Sequence, residues 1–160
     1  RQQAALVGSL RAARSGGPSP STLSGSMDIA LATNTDNPTL QFRNVGRFSD
    51  GSGYSAELLV RSRVFSVELP FYFEVEPLQN FINNLEAMDR SLKGKAILKP
   101  MYEDHFIEFE MGSSGHVIVR GQMIEYSEMS QSLKFEFQTD QTCLAPLVQD
   151  LQKWQQINAT

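Results

Sequence analysis

One stretch, Gln131 to Leu151 (QSLKFEFQTDQTCLAPLVQDL), constrains the fold more than any other. Leu133, Phe135 and Phe137 alternate with Lys134, Glu136 and Gln138, and a period of two sets three large apolar side chains on one face of a strand. Past Thr139, Asp140 and Gln141 the period changes. Leu144, Leu147, Val148, Leu151 and Trp154 recur at helical spacing and make one apolar stripe. A half-buried strand handed straight to a half-buried helix is how an α+β domain covers its sheet. The chain of 160 residues, 41% of them hydrophobic, has material for one such domain and not comfortably for two.

The preceding sequence repeats these patterns. Residues 1–26 show weak helical potential up to Arg14 and then run GGPSPSTLSGS, too poor in apolar groups to offset the entropy of ordering. They are expected to be a flexible linker or appended tail ahead of Met27. A linker's composition is preferred here over the alternative of an organelle transit peptide. Residues 27–160 are then the single α+β domain. Ile29, Leu31, Leu40 and Phe42 around NTDNP predict two short strands and a turn. SDGSG at 49–53 is glycine-rich, but with no lysine nearby and a strand following, it predicts a surface turn rather than a phosphate loop.

Tyr54, Ala56, Leu58 and Val60 form one alternating series, and Phe65, Val67, Leu69, Phe71, Phe73 and Val75 a second. Pro70 cannot donate to a ladder and puts the second strand at an edge or a bulge. A helix starts at Pro77 with Leu78, Phe81, Ile82 and Leu85 inward and frays near Leu92. Strands are predicted at Ala96–Met101, around Ile107 to Met111, and at His116–Tyr126, with a hairpin turn at GSSG. The expected architecture is a mostly antiparallel sheet of about six to eight strands with two helices packed on one face and the other face wet.

Charge is uneven. Residues 1–26 hold Arg1, Arg11 and Arg14 and no acid, so the remainder carries 11 basic against 18 acidic groups, a net of −7. Such a surface repels nucleic acid and attracts basic partners. No apolar run reaches the roughly 18 residues a membrane span needs, and the single Cys143 cannot form an internal disulfide, so a soluble protein of a reducing cytoplasm is expected.

Catalytic readings are weak. Cys143 near a helix N-terminus has a nucleophile's position but no base specified by spacing, and a packed, inert thiol is the better reading. His105 and His116 with Glu103 and Asp104 match no metal-ligand motif, and both histidines are expected at the surface. The outward carboxylates Glu68, Glu74, Glu108, Glu110 and Glu136 lie on an open sheet face, which offers no cleft for acid–base work. A solvated face is the ordinary reading, and an electronegative docking surface, its like charges neutralised by a basic partner, is the functional one.

The segment LKGKAILKPMYEDHFIEFEMGSSGHVIVRGQM, followed by LKFEFQTDQTCLAPLVQDLQKW, resembles the WapI-type immunity proteins of bacterial polymorphic toxin systems. The family's features are a helix ending near an LKG turn, a strand ending in proline, a GHV strand after a glycine turn, and a terminal FEFETDQTYL strand and helix. They fall here at Leu92 to Gly94, Pro100, Gly115 to Val117, and Phe135 to Leu144. The match runs in register from about residue 54 to 154, and its last motif is the most specific. Gln138 stands where the pattern often has Glu, and Cys143 where it often has Tyr.

The resemblance implies a cytoplasmic antitoxin, with no catalytic residue, cofactor or metal, that binds the C-terminal domain of a cognate toxin, often a basic nuclease, and blocks it without turnover. Neither nucleic acid nor membrane is an expected partner. Glu68, Tyr72, Glu74, Glu108, Glu110 and Glu136 are the expected contact residues. The competing reading is a structural adaptor or small-ligand module that uses the apolar space between sheet and helices as its pocket.

Overall fold

Four strands precede each of the two helices. A computed structural model describes residues 27–158; the linker expected at residues 1–26 lies outside the described residues. The first half consists of β1 (Met27–Ala30), β2 (Thr39–Arg47), β3 (Gly53–Ser62), β4 (Phe65–Glu74) and α1 (Val75–Ser91). The second consists of β5 (Lys95–Leu98), β6 (Phe106–Met111), β7 (His116–Glu125), β8 (Gln131–Asp140) and α2 (Leu144–Ile157). The strands form two antiparallel meanders, β1-β2-β3-β4 and β5-β6-β7-β8. The fold is therefore the expected α+β, with eight antiparallel strands and two helices. The strands are divided between two sheets because α1 carries the chain away from β4 before β5 begins.

Local chemistry explains the boundaries. β4 is an edge, and Pro70 sits within it opposite Glu57. Its inward row runs through Val67 and Leu69 to the buried Phe71 and Phe73, whereas Phe65, beside the hairpin tip, is exposed. Val75, expected as the last strand residue, is the first of α1. That helix buries Leu78, Phe81, Ile82, Leu85 and Met88 and ends where Leu92 adopts a left-handed conformation, its N–H bonded to Met88 O at 2.8 Å. β5 stops at Leu98, short of the expected Met101, because Pro100 has no N–H to extend a ladder. Asp140 accepts a hydrogen bond from Thr142 N at 2.8 Å, which starts the single 3-10 turn that leads into α2.

The two halves share one core. α1 lies along β5 and against α2, while α2 reaches back to β1. Phe81 of α1 packs its ring edge-on to Phe109 of β6, centroids 5.7 Å apart, and Trp154 of α2 meets Tyr54 of β3 edge-on at 4.3 Å. Each helix thus sets an aromatic ring against the other half's sheet. Within the second sheet, Phe135 pairs across from Gly121, and a Cβ on that glycine would come within 2.6 Å of both the Phe135 ring and Phe106 O. The glycine makes room for the ring.

Two outcomes follow for unfolding by denaturant. Gly121→Ala forces the Phe135 ring or the β6 backbone to shift and lowers stability by about 1–3 kcal/mol. Trp154→Ala empties the junction of the halves and costs about 3–5 kcal/mol, with sheet and helix signals still lost in one transition.

Candidate interaction surface

The six expected contact residues fall into two groups on two different sheets. Glu108 and Glu110 on β6 and Glu136 on β8 surround Arg120 on β7, the residue directly opposite Glu108 on one side and Glu136 on the other. Arg120 Nη1 donates to Glu108 at 2.8 Å and also to Glu110, and its Nε donates to Glu136 at 3.1 Å. Lys95 Nζ on β5 adds a contact to Glu108 at 3.7 Å. The like charges on this face are held together by a cation within the chain. Glu108 has little surface left for a partner, its side chain being 12% exposed. The three carboxylates hold the Arg120 guanidinium more firmly protonated than usual, Glu110 first. The partners of Arg120 emerge only once the register of three strands is fixed.

Glu68, Tyr72 and Glu74 share the outward face of β4. Glu68 pairs with Arg43 at 3.3 Å, both of them well exposed, an arrangement worth little in stability. Tyr72 stacks on Phe48, centroids 6.2 Å apart. Glu74, at the N-cap of α1, turns outward and accepts a hydrogen bond from Met101 N at 3.1 Å. It thereby ties the edge of the first sheet to the loop between β5 and β6, residues 99–105. That loop carries exposed Met101 and Tyr102.

His105, expected at the surface, is buried, at 3% exposure, under that loop. Its ring lies 6.0 Å from Phe71 and 5.4 Å from Tyr126, centroid to centroid. Nδ1 accepts from Ile124 N at 3.0 Å, so the ring proton sits on Nε2, which faces Glu103 Oε2 at 3.1 Å. The burial follows from the loop folding back over the end of β7. His116 is at the opposite end of the β6–β7 hairpin, across from Asp140, so the two histidines do not approach each other. Among the described residues no group of three His, Cys, Asp or Glu side chains is placed to hold a metal ion.

The remaining candidates are structural. Cys143 is buried, and its polar neighbour is the Thr139 hydroxyl at 3.1 Å rather than an imidazole. At SDGSG, Asp50 accepts from both the N–H and the hydroxyl of Ser52, at 2.9 and 2.7 Å, and the Ser52 hydroxyl and N–H hold its carboxyl below the usual range. This is a self-satisfied turn. The apolar space where sheets and helices meet, lined by residues including Phe42, Phe73, Leu98 and Trp154, has a volume of about 10 Å³. That is roughly the room of one water. No helix among the described residues is long and apolar enough to cross a membrane.

The Arg120 network has a pH signature. The hydrogen bond from Arg120, and then the charge of Lys95, hold the Glu110 carboxyl below its ordinary 4.5. A carboxyl whose folded pKa lies below its unfolded one stabilises the fold above the unfolded value. That contribution is lost as pH falls through the folded value. Arg120→Gln therefore unfolds at lower denaturant concentration than the wild type at pH 7, and the gap narrows as pH falls below 4.5; denaturation midpoints measured from neutral to acid pH check it.

Comparison with curated proteins and with solved structures yields no match. The model of the immunity protein WapI-like family matches residues 30–156, which takes in the last residue of β1, all of β2 to β8 and α1, and α2 except its last residue. The chain belongs to the WapI-like immunity protein family.

Proposed function

We propose that this protein is a non-catalytic antitoxin that neutralises the C-terminal domain of a cognate polymorphic toxin by direct contact in the cytoplasm of the producing cell. The family match over residues 30–156 is the observation that carries this reading. The net charge of −7 on residues 27–160 supports it, because nuclease domains that grip a phosphate backbone are basic and an acidic surface speeds their capture. The single, unpaired and buried Cys143 is compatible with a reducing compartment. Contact is drawn from the outward residues of the two sheets, Glu68, Tyr72 and Glu74 on one and Glu108, Glu110 and Glu136 on the other.

Inhibition by contact and inhibition by chemistry have different titration curves. Adding the protein to the toxin domain encoded immediately upstream of its gene lowers the toxin's activity linearly to an endpoint at a fixed molar ratio, and longer incubation leaves the curve unchanged. The complex also elutes as one species in size-exclusion at micromolar concentration. Loss of toxin activity that progresses with time at substoichiometric protein refutes the non-catalytic reading, and absence of a complex refutes the antitoxin reading.

A further inference from the structure

The two acidic faces are unequal as docking surfaces. On the second sheet, Arg120 and Lys95 neutralise most of the charge of Glu108, Glu110 and Glu136 and fix their side chains to one another. A partner's arginine arriving there competes with Arg120 for carboxylates already paired. At the junction of β4 and the loop 99–105 the arrangement is reversed. Glu74 directs one carboxylate oxygen to a backbone N–H, and among the described residues no lysine or arginine lies within ion-pair distance of Glu74, Glu76 or Asp104.

Beside these acids the protein exposes rings and a thioether. Tyr102 is 87% exposed and Met101 62%, and Tyr72, stacked on Phe48, continues the patch along β4. Tyr and Met are the residue types enriched where proteins bind one another, and tyrosine faces accept lysine or arginine through cation–π contact. Large apolar groups left in water on a loop do nothing for the fold beneath them.

The loop is nevertheless held firmly. Its tip is fastened by the hydrogen bond from Met101 N to Glu74. Its far end is fastened by Asp104 N donating to the Tyr126 hydroxyl at 3.2 Å and by His105, buried against Phe71 with Ile124 N–H on its Nδ1. Fixing exposed anchors in advance lowers the entropy lost when a partner orders them.

Resting on the antitoxin reading, we infer that the protein docks its partner through this patch, Tyr72, Met101 and Tyr102 with Glu74 and Asp104 at the rim. The occupant is a lysine- and arginine-rich surface of the toxin domain, whose cations stack on the tyrosines and pair with the rim acids.

The test is calorimetric titration at about 0.15 M salt, an ionic strength that screens the distant charges but leaves close pairs intact. The titrant is the toxin domain encoded immediately upstream, and each variant is first shown to unfold at the wild-type midpoint. Tyr102→Ala and Tyr72→Ala each weaken binding by about tenfold or more. Two substitutions of exposed residues outside the patch, Phe65→Ala at the other end of β4 and Met129→Ala in the turn between β7 and β8, change it less than about threefold. If the wild type binds and both tyrosine variants stay within that threefold margin, the patch is not the docking surface and the antitoxin reading stands. If the wild type does not bind, the antitoxin reading falls and this inference with it.

Discussion

Trp154 in α2 meets Tyr54 in β3, and Phe81 in α1 meets Phe109 in β6, so each half of the molecule is completed by the helix that ends the other or by the contact it makes there. A four-stranded antiparallel meander has one apolar face and cannot bury it alone. Two such sheets and two amphipathic helices solve the problem jointly by burying their apolar faces in one core. The wet faces of the sheets and the loops joining their strands are among the surfaces where recognition can reside.

The sequence made the elements legible because their information is local. The stripe from Leu144 to Trp154 and that from Leu78 to Met88 are buried as their spacing predicts, and the alternation from Tyr54 to Val60 puts Tyr54, Ala56, Leu58 and Val60 in the core, although Leu59 in the opposite row is buried as well. Pro70 points to an edge or a bulge for a reason contained in one residue, and β4 is an edge. What stayed hidden depends on contacts between distant residues. Whether eight strands make one sheet or two is decided by pairing, and periodicity is silent on pairing. His105 reads as a surface residue because nothing within a few positions of it reveals that Phe71 and Tyr126 close over its ring. Arg120 reads as one more exposed charge until the registers of β6, β7 and β8 bring three glutamates to it.

That last case bears on how acidity is interpreted. A net charge of −7 describes the field felt by a partner at a distance, which sets the rate of encounter. It does not say where the partner comes to rest. Counting outward glutamates along the strands makes Glu108, Glu110 and Glu136 part of one open electronegative face. Yet Arg120 makes those residues a self-contained unit, Glu108 being largely covered. A charge cluster satisfied from within contributes to cohesion between strands and presents a weakened field outward.

Recognition needs groups the fold itself leaves unfinished, together with a scaffold that keeps them still. The β5–β6 loop meets both conditions. Pro100 ends the strand, Glu74 and Tyr126 hold the loop backbone, and His105 roots it in the core, while Tyr102 stands almost wholly in solvent. The buried histidine that a metal or catalytic reading would have claimed is thus explained by what it supports. It has no second histidine within reach and sits behind the loop rather than in a cleft. The Phe135 strand and its helix, the most legible part of the chain, serve in the same way one step further back. They set the core against which β7 is fixed, and β7 offers the N–H of Ile124 that His105 accepts. In the proposed docking mode, partner choice falls to the short, irregular segment that this scaffold holds in place.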